Sequence, residues 1–174
     1  MSVNVQFVYG AGNDQIFGAA LRALRETVLR SFPDREQVYC PRILDYTEMQ
    51  TLSRLVGQWK DPTILVGHSC GCMSITRAAV ENSMKRIPLL LAIAPSIYCP
   101  VVPLTVNVAK AVQATSWFGD FFNPFGRMLL SRVESNSRTA VESINTGLSH
   151  LSAPAAPEVE SVLLSSIRAA RLAA

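Results

Sequence analysis

Ser69 is the residue of this chain best suited to act as a nucleophile. It stands in Gly67-His68-Ser69-Cys70-Gly71, directly after the apolar run Thr63-Ile64-Leu65-Val66 and ahead of a segment, Met73 to Val80, with helical spacing. A G-x-S-x-G pattern between a strand and a helix reads as a nucleophile elbow, a sharp turn that strains the serine backbone and exposes its hydroxyl above the sheet. Side chains at Gly67 or Gly71 would crowd the neighbouring strand or helix at so tight a turn. The backbone N–H of Cys70 then falls at the helix N-terminus, where unpaired donors and the dipole favour a developing oxyanion.

A serine hydroxyl attacks poorly until a base takes its proton, and histidine has the suitable pKa. The chain has two histidines, His68 and His150. His68 adjoins Ser69, so its side chain diverges from the serine's and is expected to pack or to line the site. His150 lies between the expected last strand and last helix, at the same sheet edge as Ser69 if the strands are parallel, and is the expected base. An acid must orient that histidine and stabilise its charged form. Asp120 follows the preceding expected strand and is the first choice; Glu134, at the end of a helix beginning near Pro124, is the second. A second oxyanion donor is expected from the backbone N–H of Ala11 or Gly12, in a loop whose glycines let the chain approach a ligand. Trp117, Phe118, Phe121, Phe122 and Phe125 surround the expected acid loop, either as an acyl pocket or as core.

These residues need a scaffold, and the hydrophobic pattern supplies one. Val3 to Tyr9 suits a strand entering a core, and Gly10 to Asp14 is a turn-rich loop. Ile16, Phe17, Ala20, Leu21, Leu24 and Val28 follow helical spacing, with Asn13 or Asp14 as the expected cap. The loop begins like a dinucleotide fingerprint, but Gln15 stands where G-x-G-x-x-G wants its third glycine. Gln37 to Cys40, ended by Pro41, fits an edge strand. Thr47 to Lys60 is helical, capped by Thr47 or Asp45, with Met49, Leu52, Leu55, Val56 and Trp59 on its buried face.

Leu89 to Ala94 is a continuous apolar run, as in a parallel-sheet strand covered on both faces. A further strand is expected to end near Trp117-Phe118, a helix to start at Pro124, a last strand to lie within Arg138 to Ile144, and a last helix to begin at Pro157. Strands alternating with helices imply an α/β fold, here a mostly parallel sheet of about six strands with helices on both faces.

Composition agrees and excludes several classes. With 174 residues the chain is expected to form one domain over 1–174. It is 49% hydrophobic and 17% charged, which excludes a disordered protein, and its net charge of +3 is too small and scattered for a nucleic-acid footprint. The start Met1-Ser2-Val3-Asn4-Val5 lacks a secretory signal's basic and apolar regions, and no apolar run has the length of a membrane span. A soluble, cytoplasmic protein is expected. Cys40, Cys70, Cys72 and Cys99 read as buried thiols rather than a disulfide framework. Cys70-Gly71-Cys72 lacks a second Cys or His pair at zinc spacing, so no metal site is expected.

The order Ser69, Asp120, His150 resembles that of the α/β-hydrolases, most closely small serine hydrolases with minimal lids. The resemblance rests on Gly67-His68-Ser69-Cys70-Gly71, on Gly119-Asp120 followed by Pro124, and on His150 before a C-terminal helix. There are two departures. Tyr9-Gly10-Ala11-Gly12 replaces the family's common His-Gly start, and the stretch before Asp120 is short for a crossover between parallel strands. The resemblance implies hydrolysis of a carboxylic ester or related acyl bond through an acyl-enzyme, on a small-molecule acyl substrate and with no metal or organic cofactor. Ser69 would attack, His150 would shuttle the proton, Asp120 would hold His150, and the N–H groups of Cys70 and Ala11 would receive the oxyanion. A thioesterase or acyltransferase with the same residues, or a non-catalytic binding protein of the same fold, would carry the same pattern.

Overall fold

A computed structural model of the chain describes residues 2–11, 18–95, 108–115 and 140–173. In chain order it has β1 (Val3–Tyr9), α1 (Ala19–Ser31), β2 (Val38–Tyr39), β3 (Leu44–Asp45), α2 (Met49–Gln58), β4 (Thr63–His68), α3 (Gly71–Glu81), β5 (Leu90–Ile93), β6 (Lys110–Thr115), β7 (Ala140–Asn145) and α4 (Pro157–Leu172). A single 3-10 turn, Ala153–Ala155, leads into α4.

The strands form one sheet of seven, in the order β2-β1-β4-β5-β6-β7, with β3 also on β1. Every pairing among them is parallel. The C-terminal ends of all the strands therefore lie along one edge, which brings together Tyr9, His68, Ile93, Thr115 and Asn145. The expected α/β class holds, with one strand more than the six anticipated. The additional strand is β3. It is two residues long and follows Pro41, too short for periodicity to reveal, and it pairs with Val8–Tyr9 where β2 has already left β1 at Val3–Asn4.

The strand pleat divides the core into two layers. Val3, Val5, Phe7 and Tyr9 of β1 pack with Leu21, Leu24 and Val28 of α1 and with Val159, Leu163 and Ile167 of α4. On the other face, Val8 and Leu65 meet Leu52 and Val56 of α2 and Ile75, Ala78 and Ala79 of α3. Strand β5 contributes Leu91 and Ile93 to the first layer and Leu90 and Ala92 to the second, as its unbroken apolar run requires.

The polar residues that alternate along β1 are not solvated. Asn4 is 4% exposed and Gln6 fully buried. Their amides are used internally: Asn4 Nδ2 donates to the Asp61 carbonyl at 3.2 Å, and Gln6 Nε2 donates to the Phe7 and Arg42 carbonyls at 2.8 and 3.0 Å. Gln6 thereby fastens the irregular segment that joins β2 to β3.

Two helix starts differ from the sequence expectation. Helix α1 begins at Ala19, after Gly18, which has φ −94° and ψ 0° and bears no side-chain cap; the expected caps Asn13 and Asp14 lie outside the described residues. Glycine's poor helix propensity sets the boundary there. Ahead of α2, the Asp45 carboxylate accepts the Thr47 N–H at 2.9 Å, while Glu48 reaches back to accept the Asp45 N–H at 3.0 Å. This reciprocal pair has the logic of a capping box, and Met49 opens the helix proper. Helix α3 starts at Gly71, immediately after the serine turn, with Cys70 at its N-terminus as expected.

Candidate active site

The turn between β4 and α3 is the most constrained stretch of the molecule. Ser69 has φ 55°, one of two non-glycine residues with positive φ among those described. L-residues disfavour that region by about 1–2 kcal/mol, so the surrounding structure must hold it. Ser69 N–H donates to the Ile93 carbonyl at 3.0 Å, and the Ser69 carbonyl accepts the Cys72 N–H at 3.1 Å. The first bond anchors the turn to β5 and the second begins α3.

Three glycines enclose this turn at distances that leave no room for a side chain. A Cβ at Gly71 would sit 2.4 Å from the Val8 carbonyl oxygen and 2.8 Å from that of Tyr9, so the start of α3 rests on the backbone of β1. A Cβ at Gly67 would sit 2.7 Å from the Gly71 oxygen. A Cβ at Gly10, just beyond β1, would meet Ser69 Cβ at 2.5 Å and Ser69 Oγ at 3.0 Å. The loop after β1 thus lies directly against the serine side chain. Ala11, the residue after Gly10, is exposed.

The cysteines around the turn serve different ends. Cys72 is fully buried, and its thiol donates to the Gly67 carbonyl at 3.2 Å and contacts the Ile93 carbonyl at 3.5 Å, joining β4 to β5. Cys70 is partly exposed, contrary to the expected buried thiol, because it stands at the N-cap of α3 where the chain turns at the strand ends. Cys40 is buried, which pushes its thiol up to about 11 despite the nearby Arg25. Cys40 is a free thiol.

His150 lies in a turn between β7 and α4, as expected from its sequence position, and the fold carries it to His68, the residue before Ser69. The imidazoles of His150 and His68 are 5.2 Å apart between centroids, inclined at 44°. His68 Nε2 lies 2.8 Å from the His150 carbonyl oxygen. A carbonyl oxygen only accepts, so Nε2 carries the proton and donates it. His68 itself is 3% exposed. The link it makes to the His150 main chain had no sequence signal beyond the chain having only two histidines.

Gly12, Cys99, Asp120, Glu134, Pro124 and the aromatic group Trp117, Phe118, Phe121, Phe122 and Phe125 lie outside the described residues. Among the described residues no group of three or more His, Cys, Asp or Glu side chains is placed to hold a metal ion. No helix among them is long and apolar enough to cross a membrane.

A family model described as serine hydrolase matches residues 25–116, a span that contains the whole Ser69 turn. The chain belongs to that family. It is a hydrolase of the α/β class, and its matched segment ends before Asp120 and His150. No curated protein matches it in sequence. Solved structures share its fold along nearly its whole length. DcsB, in complex with its substrate analogue, superimposes with a TM-score of 0.64 at 11% identity, covering 97% of this chain and 90% of that one. SOBER1 of Arabidopsis thaliana gives 0.60 at 11% identity, covering 99% and 100%. An α/β serine hydrolase without lid from Xanthomonas campestris gives 0.58 at 13% identity, covering 95% and 81%. At these identities the likeness is one of fold.

Proposed function

We propose that this hydrolase cleaves a carboxylic ester or related acyl bond through an acyl-enzyme, with Ser69 as nucleophile and His150 as its base. The observation that carries this reading is a backbone-strained serine at a strand-to-helix turn, whose preceding residue, His68, meets His150 at 5.2 Å between ring centroids although 82 positions separate them in the chain. The Ser69 turn has the features of a nucleophile elbow: positive φ, a helix starting two residues on, and glycines where Cβ atoms would collide.

In this mechanism His150 removes the Ser69 hydroxyl proton as the oxygen attacks the acyl carbon. The tetrahedral oxyanion accepts hydrogen bonds from the backbone N–H of Cys70, at the N-cap of α3, and from that of Ala11, in the loop that Gly10 lays against Ser69. His150 then returns the proton to the leaving group, and water repeats the sequence on the acyl-enzyme. Asp120 is assigned as the acid that holds the charged imidazole, with Glu134 second. A small-molecule acyl substrate needs no organic cofactor in this scheme.

The test is labelling by a fluorophosphonate probe of the wild type and of Ser69→Ala, His150→Ala, Asp120→Ala and Glu134→Ala. Labelling should vanish in Ser69→Ala, fall by roughly 1,000-fold or more in His150→Ala, and weaken in whichever acid variant removes the orienting carboxylate. A folded wild type that stays unlabelled would overturn the assignment and favour a binding protein on the same fold.

A further inference from the structure

We infer that His68 is a positioning residue for His150, holding the main chain of the base from the position that immediately precedes the nucleophile. This inference rests on the assignment of His150 as the base. Its own support is geometric. His68 ends β4, at the centre of the sheet, and is 3% exposed. His150 stands in a turn where Asn145, Gly147, Ser149 and Leu151 are exposed. Gly147 N–H donates to Asn145 Oδ1, Leu148 N–H to Thr146 Oγ1, and Ser152 and Ala153 N–H to the Ser149 carbonyl, while Thr146 N–H and Oγ1 both donate to the Thr115 carbonyl and tie the start of the turn to β6.

At His150 itself, the bond from His68 Nε2–H to the His150 carbonyl at 2.8 Å spans 82 positions in sequence and ties the residue's main chain to the end of β4. Positive φ at Ser69 turns the chain directly after His68, whose imidazole reaches the His150 backbone. One strand end thereby fixes both partners of the proton transfer. A general base must stay within about 3 Å of the hydroxyl it deprotonates, and misplacement by about 1 Å costs on the order of 100-fold.

The experiment compares His68→Gln, whose side-chain amide keeps a donor near the position of Nε2, with His68→Leu, which fills similar space without one. The readout is saturation kinetics of fluorophosphonate inactivation, giving the limiting rate and the half-saturating probe concentration separately, with His150→Ala as reference. The expected result is a limiting rate roughly 100-fold lower in His68→Leu at a half-saturating concentration within about twofold of wild type, and at least about tenfold recovery in His68→Gln. Equal losses in both variants, or none in either while His150→Ala is inactive, would overturn the positioning role and leave His150 as base. If His150→Ala reacts like wild type, the base assignment fails and this inference falls with it. Should either variant not fold, nitrogen NMR of wild-type histidines decides: Nε2 of His68 must be protonated, and a bare Nε2 overturns the inference.

Discussion

The turn that carries Ser69 and the turn that carries His150 both depend on glycine, for opposite physical reasons. Around Ser69 the glycines are required by space. Gly10, Gly67 and Gly71 have ordinary φ, yet a Cβ on any of them would come within 2.9 Å of backbone or of Ser69. Before His150 the glycine is required by conformation: Gly147 has φ 63°, and a Cβ there would meet nothing within 4 Å. The serine turn is built by close packing of distant segments, and the histidine turn by a left-handed glycine with ties from Thr146 to β6 and from His68 to β4. Such a division encloses Ser69 in backbone while His150 sits on a more exposed segment held by a few side-chain and main-chain hydrogen bonds.

The largest effect expected from this contrast is at Gly71. Alanine there would push the start of α3 away from the Val8 and Tyr9 carbonyls, and neither backbone can yield without disturbing β1, which pairs with β2, β3 and β4. Overpacking of this kind costs about 3 kcal/mol, which for a domain of this size lowers Tm by roughly 6–12 °C. Thermal unfolding followed by circular dichroism measures it. A Gly71→Ala protein that melts with wild type would show that packing against β1 is not what fixes the serine turn.

The same contrast explains what could be read from the sequence. The Ser69 turn was legible because its glycines, the preceding Thr63-Ile64-Leu65-Val66 and the following helix are contiguous. The parallel sheet was legible because Leu89 to Ala94 and Val3 to Tyr9 carry their burial pattern within one segment. Strand β3 escaped because two residues carry no period, and the α1 start was misplaced because Gly18, not a side-chain cap, sets it. Gly10 could be recognised as a turn residue, but its contact with Ser69 is a fact about two chain segments 59 positions apart. The hydrogen bond from His68 to His150 is likewise long-range, and nothing in residue type or spacing encodes it.

A smaller and opposite effect is expected at Gly147. Alanine fits the open space there but must adopt positive φ, at a cost of about 1 kcal/mol, whereas asparagine tolerates that region and should cost less. Urea unfolding at unchanged m-value distinguishes the two substitutions. Alanine and asparagine equal to wild type in stability would mean that the turn relaxes to another backbone path, and the contrast between spatial and conformational glycines would be lost.

The smallest effect concerns Ser69 itself and sharpens the comparison most. Its φ of 55° is a conformation that glycine adopts readily and serine does not. Ser69→Ala keeps the same backbone penalty, so it should match wild type in stability while losing fluorophosphonate labelling. Ser69→Gly removes the penalty and also gains freedom in the unfolded chain, two effects that oppose each other and leave a net stabilisation of up to about 1 kcal/mol over Ser69→Ala. The comparison of the two dead variants by urea midpoint isolates the backbone term from any role of the hydroxyl. A glycine variant more stable than alanine places the strain at Ser69, held there by the packing of Gly10, Gly67 and Gly71. One no more stable than alanine means that the turn is relaxed, and that its shape is imposed at no cost to the serine.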